Sequence, residues 1–250
     1  MTELTAGRAI RGLLIFQLVA GAALVASDVS GSFRGWSWGD DNAPGFDNPV
    51  RPGDQRRRYD PARLPATPGN PDQREVRTNT DFGPRLAFRD DDGALRIEGE
   101  IAPGDAARLR DFLDGRDAPG IVVLNSPGGS VSDALDIGRQ LREAGAVTRM
   151  KATDICLSAC PYIFASGTER VAPDDAKLGV HQHYFGESTV LPAFMAVEDV
   201  QRGQGLVMAY LDEMGVDPLV MQHALTTPPD EIYVLIPEEL DRYVLRTSSD

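Results

Sequence analysis

Lysine, histidine and cysteine are almost missing from this 250-residue chain, which holds two lysines (Lys151 and Lys177), three histidines (His181, His183 and His223) and two cysteines (Cys156 and Cys160). Any chemistry needing an amine, an imidazole or a thiol therefore has few residues to draw on. A basic excess is absent too. Acidic residues number 38 against 25 basic ones, a formal charge of -13, and that balance repels phosphate backbones and excludes nucleic acid as a general partner. There is no internal repeat. With 42% hydrophobic residues over 250 positions, the chain can bury one substantial core without requiring a second domain.

No apolar run reaches the about 20 residues of a full membrane-spanning helix. The longest, residues 12–26, follows Arg8 and Arg11 and carries no acidic residue before Asp28. As a helix it spans roughly 22 Å, so it reads as an export signal over residues 1–27, cleaved near Val25-Ala26-Ser27 or kept as a short membrane anchor. Residues 28–81 are dense in Gly, Pro, Asp and Arg with few spaced apolar positions, which predicts a disordered linker. Residues 82–250 are then the folded domain, on the oxidising, periplasmic or otherwise extracytoplasmic side, secreted or membrane-tethered.

Within that domain, Asp90-Asp91-Asp92-Gly93 separates two alternating segments, Arg85 to Phe88 and Leu95 to Ile101, and predicts a hairpin. Ala106, Leu109, Phe112 and Leu113 recur at helical spacing, and Ile121 to Leu124 has the short apolar run of a strand covered on both faces. Ser130 with Asp133 resembles a capping box ahead of a helix whose inner face is Val131, Ala134, Leu135, Gly138 and Leu141. A strand over Ala146–Met150, a helix over Ser158–Ser166, a strand over Gly179–Phe185 holding His181 and His183 on one side, and a helix from Val200 to Met214 follow. A restart at Asp217-Pro218, a last strand over Ile232–Ile236 and a short helix opened by Pro237 complete a βαβ rhythm of the α/β class.

Ser158 lies midway between the two cysteines, at the start of a predicted helix whose dipole favours an oxyanion. A serine hydroxyl is a weak nucleophile and needs an imidazole to take its proton, with a third group to hold the ring. His181 is the chosen base, with His183 as its substitute and His223 on an ordinary helix face. The turn Asn125-Ser126-Pro127-Gly128-Gly129 ends one strand and opens a helix, so the N–H groups of Gly129 and Ala159 are candidate oxyanion donors. In an oxidising compartment an even cysteine count favours a Cys156–Cys160 disulfide around the nucleophile, contributing about 2 kcal/mol by chain entropy, against a reading of two buried thiols.

The turn at 125–129, the serine opening a helix and His181-Gln182 together resemble the Clp protease proteolytic subunit and its crotonase-fold relatives, over residues 94–245. The resemblance is to an exported branch with a Cys-x-Ser-Ala-Cys motif. It implies a spiral of ββα units and a serine-type peptidase acting through an acyl-enzyme, with a Ser158–His181–Asp230 triad and oxyanion donors on Gly129 and Ala159. It further implies a peptide or protein substrate, no cofactor or metal, and a homo-oligomer. Asp230, ahead of Tyr233 to Glu239, takes the triad's acid position, with adjacent Glu231 as its substitute. An exported chain has no access to cytosolic ATPase rings.

Three other readings compete. Exported signal-peptide peptidases of this class use a serine–lysine pair, here Ser158 with Lys151. Cys156, Cys160, His181 and His183 are also a donor set for structural zinc. A catalytically inactive oligomeric scaffold of the same fold is the third.

Overall fold

The computed structural model describes residues 7, 11–23, 46, 48–60, 82–183 and 193–249. The chain divides into two compact units, Met1–Ala43 and Pro44–Asp250. In the first, residues 11–23 form a helix, α1, with exposed side chains. Among the described residues no helix is long and apolar enough to cross a membrane, so the anchor reading gains no support from α1. The proposed cleavage site at Val25-Ala26-Ser27 lies outside the described residues.

The second unit is a mixed α/β structure with two sheets. The hairpin forms as expected, with β2 (Ala87–Asp91) antiparallel to β3 (Ala94–Glu98). Asp92 and Gly93 both have positive φ, 47° and 84°, the pattern a two-residue turn of matching twist requires. From β3 the chain runs through α2 (Asp105–Leu113), β4 (Ile121–Asn125), α3 (Val131–Glu143) and β5 (Val147–Arg149). β3, β4 and β5 are parallel neighbours in a five-stranded sheet of order β2-β3-β4-β5-β7, where β7 is Arg170–Val171. Val122 and Leu124 are almost fully buried, each contributing about 1.5–3 kcal/mol of hydrophobic stabilisation. Their apolar run is continuous because β4 is an interior strand buried on both faces.

The four-stranded sheet has the order β1-β9-β8-β6, with β1 at Arg56–Arg58, β6 at Ile155–Leu157, β8 at Lys177–Val180 and β9 at Glu231–Val234. β6 joins β8 in parallel, while β9 runs antiparallel to both β8 and β1. β1 corrects the expected linker over 28–81 in part, most of that stretch lying outside the described residues. Residues 48–60 belong to the folded unit, and Arg57, fully buried, donates to the carbonyls of Asp54 at 2.7 Å and Arg56 at 2.9 Å. Charge density made this stretch look unfoldable, yet a guanidinium whose N–H groups meet backbone carbonyls can be buried.

α4 (Cys160–Ala165) follows β6, α5 (Ala193–Glu213) is the long helix, a 3-10 turn at Pro218–Val220 leads into α6 (Met221–Thr226), and α7 (Pro237–Arg242) closes the chain. Tyr210 on α5 donates to the Tyr162 carbonyl at 2.8 Å, and its hydroxyl stands where a Cβ on Gly138 would be, 1.8 Å away. That missing Cβ brings α5 against α3. Asp133, in the first turn of α3, accepts from the Ser130 hydroxyl at 2.7 Å and from the amides of Gly104 at 2.9 Å and Ala106 at 3.0 Å. The expected cap therefore also fixes the start of α2.

Candidate active site

Ser158 stands between β6 and α4, two residues before the first helical residue rather than within the helix as expected. Its φ is +59°, a left-handed backbone that costs a non-glycine residue about 1–3 kcal/mol and collects at functional sites. The conformation makes a sharp strand-to-helix elbow with the hydroxyl at its tip. Two contacts hold it: the Ser158 amide donates to the Gly179 carbonyl at 2.9 Å, and a disulfide joins Cys156 to Cys160, both fully buried. The cysteines are thus bonded to each other across the serine. This corrects the zinc reading, because the two sulfurs are not available as thiolates.

The strand before the elbow is stitched to the glycine turn. Ser126 and Cys156 form a parallel bridge, with the Ser126 amide donating to the Ile155 carbonyl at 2.8 Å and the Leu157 amide donating to the Ser126 carbonyl at 3.1 Å. The Asn125 side chain accepts from the Ile155 amide at 3.1 Å and donates to Glu98 at 3.1 Å. The buried Ser126 hydroxyl donates to the Gly99 carbonyl at 2.6 Å and accepts from the Gly128 amide at 3.1 Å. The polar residues of the turn therefore fix its backbone. Gly128 has φ +106°, and a Cβ there would lie 2.5 Å from the Ser158 Cβ. Gly129 lines the same cleft. Among the described residues no hydrogen bond engages the amides of Gly129 and Ala159, the two expected oxyanion donors.

His181 lies one residue beyond the end of β8, not inside a longer strand as expected; positions 184 and 185 of that expected strand lie outside the described residues. Its Nε2 is 2.7 Å from the Ser158 Oγ, and its Nδ1 is 3.0 Å from the Pro229 carbonyl. That carbonyl accepts only from an N–H, so it sets the proton on Nδ1 and leaves the Nε2 lone pair facing the serine. Here the structure corrects the assignment of Asp230. Asp230 lines the cleft, but the group at hydrogen-bond distance from the ring is the backbone oxygen one residue earlier. Asp230 acts on His181 through space, its charge favouring the imidazolium. Glu231, the substitute, pairs with Arg56 at 3.3 Å.

Burial is the largest influence on His181 and lowers its pKa below the usual value, against the raising effect of the surrounding carbonyls and of Asp230. The ring is therefore neutral at neutral pH and able to accept a proton. His183 lines the same cleft, 2.7 Å from the Tyr162 hydroxyl through Nε2; burial, and secondarily the charge of His181, push it down to about 4. His223 lies elsewhere, stacked on Tyr233 at 4.3 Å and 2.9 Å from the Tyr243 hydroxyl. Lys151, the alternative base, sits in an exposed ion pair with Asp91 at 3.9 Å and lines a different cleft with Arg149 and Val171.

The cleft has a volume of about 470 Å³ and carries Pro127, Val131, His183, Pro229, Glu100 and Tyr59 on its walls beside the serine and histidine. Tyr59 is the member that sequence reasoning missed. It falls in the segment taken as a linker, and one tyrosine after three arginines gives no pattern to find. Among the described residues no cluster of three or more His, Cys, Asp or Glu side chains has a metal-holding arrangement. No protein-family model matches the chain, and no curated protein matches it.

Proposed function

We propose that the protein is an exported serine hydrolase, a peptidase built as a Clp-protease-like spiral and acting through an acyl-enzyme. The observation that carries this reading is the 2.7 Å contact between Ser158 Oγ and His181 Nε2 at a serine held left-handed on a strand-to-helix elbow. In the proposed reaction Ser158 Oγ attacks the substrate carbonyl carbon while its proton passes to Nε2. Nδ1–H stays on the Pro229 oxygen throughout, so the base is a histidine oriented by a backbone carbonyl rather than by a carboxylate. The oxyanion accepts from the amides of Gly129 and Ala159, the leaving amine takes the proton from Nε2, and water attacks the resulting ester by the same route. The Cys156–Cys160 disulfide supports an oxidising compartment, and self-association follows from the family resemblance.

The test is labelling of the purified protein with a fluorophosphonate and mapping of the adduct. A stable adduct on Ser158, abolished in Ser158→Ala and slowed at least about 100-fold in His181→Ala, is expected for a histidine base. No adduct under conditions that label a control hydrolase leaves a non-catalytic scaffold as the reading.

A further inference from the structure

Tyr59 belongs to none of the segments that carry the nucleophile, the base or the amide donors, yet it touches all three. Its amide donates to the Asp230 carbonyl at 2.9 Å, which fixes the loop whose Pro229 oxygen holds His181. Its ring meets the His181 ring edge-on, with centroids 4.8 Å apart and planes at 66°. Its hydroxyl donates to the Pro127 carbonyl, directly ahead of Gly128-Gly129, and interacts with the Ser158 hydroxyl.

Strand alternation puts it there. Gln55 and Arg57 are buried while Arg56 and Arg58 are exposed, and Tyr59 continues the inward set. The register of β1 on β9, with Arg58 opposite Glu231, brings the next residue level with Asp230. Gln55 secures the other end, donating to Glu239 at 2.6 Å and accepting from the Val234 amide at 2.9 Å.

We infer that Tyr59 is a positioning residue for the Ser158–His181 pair, its ring excluding water from the imidazole and its hydroxyl tying the base loop to the glycine turn. The inference rests on the hydrolase reading above. Burial holds the phenol well above its ordinary pKa, so the hydroxyl remains a donor across the neutral and mildly alkaline range. The two halves of the residue have separable effects. Removing the hydroxyl loosens the turn without exposing His181. Removing the ring admits water and relieves the desolvation that holds the His181 pKa down.

The experiment uses the full-length chain as wild type, Tyr59→Phe and Tyr59→Leu, with circular dichroism melting to check folding. Fluorophosphonate labelling rates are measured from pH 4 to 9, and the three histidines are titrated by NMR. Tyr59→Phe is expected to label about 5- to 10-fold more slowly, the scale of one lost hydrogen bond, with the acid limb and the His181 titration unmoved. Tyr59→Leu is expected to label about 100-fold more slowly, the scale of a displaced catalytic group, with both the acid limb and the His181 titration moved up toward the unperturbed value. A residue that only stabilised the fold would not move that titration.

Both variants labelling within twofold of wild type, with His181 titrating unchanged, overturns the assignment. If Tyr59→Leu does not fold, Tyr59→Phe labelling at the wild-type rate overturns it alone. Absence of any wild-type adduct removes the hydrolase reading and this inference with it, an outcome distinct from a labelled wild type matched by its variants.

Discussion

Replacing Gly128 with alanine puts one methyl group into the join between the glycine turn and the serine elbow. Built on the existing backbone, that Cβ would lie 2.5 Å from the Ser158 Cβ, 2.6 Å from the Leu157 carbonyl oxygen and 3.0 Å from the Ala159 nitrogen. Two of these neighbours are backbone and the third is the first atom of a short side chain, so no flexible end can swing aside. Relief requires the elbow and the turn to separate by about 1 Å, a displacement that costs catalysis on the order of 100-fold. The backbone angle of +106° adds strain for any residue with a Cβ, about 1–3 kcal/mol, and the overpacking adds a comparable amount. A total near 3 kcal/mol lowers the melting temperature by roughly 6–12 °C for a unit of this size. The assay pairs thermal melting with the rate of fluorophosphonate labelling at Ser158. Gly138→Ala is the matched comparison, because its Cβ would meet the Tyr210 hydroxyl and Ser166 rather than the elbow; it is expected to melt lower while labelling at close to the wild-type rate. Gly128→Ala labelling within about threefold of wild type and melting within about 2 °C would refute the reasoning, since strain of this size must appear in one readout or the other.

Asp230→Asn removes a charge that acts on His181 only through space, so labelling is expected to slow by less than about 10-fold; a loss near the roughly 10⁴-fold of a true triad acid would show that the carboxylate holds the ring during reaction. The His181 and His183 pKa values are depressed on folding, so the unfolded chain takes up protons first as pH falls. Stability is then expected to be undiminished above about 6.5 and to decline toward about 4, followed in chemical denaturation by a midpoint that drops across that window. Asp105, whose carboxyl is opposed by burial but held below its ordinary range by the Leu86 and Ala102 amides and by Arg108 and Arg85, adds a further loss below about pH 3.8, as its paired form is protonated. Replacing Cys156 and Cys160 together with alanine is expected to cost about 2 kcal/mol in denaturant unfolding and to slow Ser158 labelling, and an unchanged labelling rate would assign the bridge to stability alone.

Much of the first half of the fold was readable because its signals are local. Asp92-Gly93 signals a two-residue turn, Ser130 and Asp133 set a helix start, and Ile121 to Leu124 has the short apolar run of a strand covered on both faces. The helix from Val200 to Met214 was found too, though its start falls seven residues earlier at Ala193. β6 was missed because Ile155–Leu157 is three residues long and its pairing with β8 depends on Gly179, where a Cβ would meet Leu157 and Ile232 at 2.8 Å. That is long-range packing with no periodic trace. At the site, the serine and histidine were visible as residue types. The group that orients the histidine was not, because every residue has a carbonyl and only the folded path of Thr227 to Asp230 selects the one on Pro229. Lys151 differs in origin, because the resemblance to serine–lysine peptidases made it a candidate, while three-dimensional placement pairs it with Asp91.

β1 also governs how this molecule can meet its neighbours. As the outermost described strand of its sheet, it presents the margin along which a foreign polypeptide would otherwise template itself, and that margin is three consecutive arginines. Two of these side chains face solvent and one turns inward, and a charged margin of this kind offers no apolar ribbon to pair with. Aggregation by lateral zippering is thereby discouraged at this border.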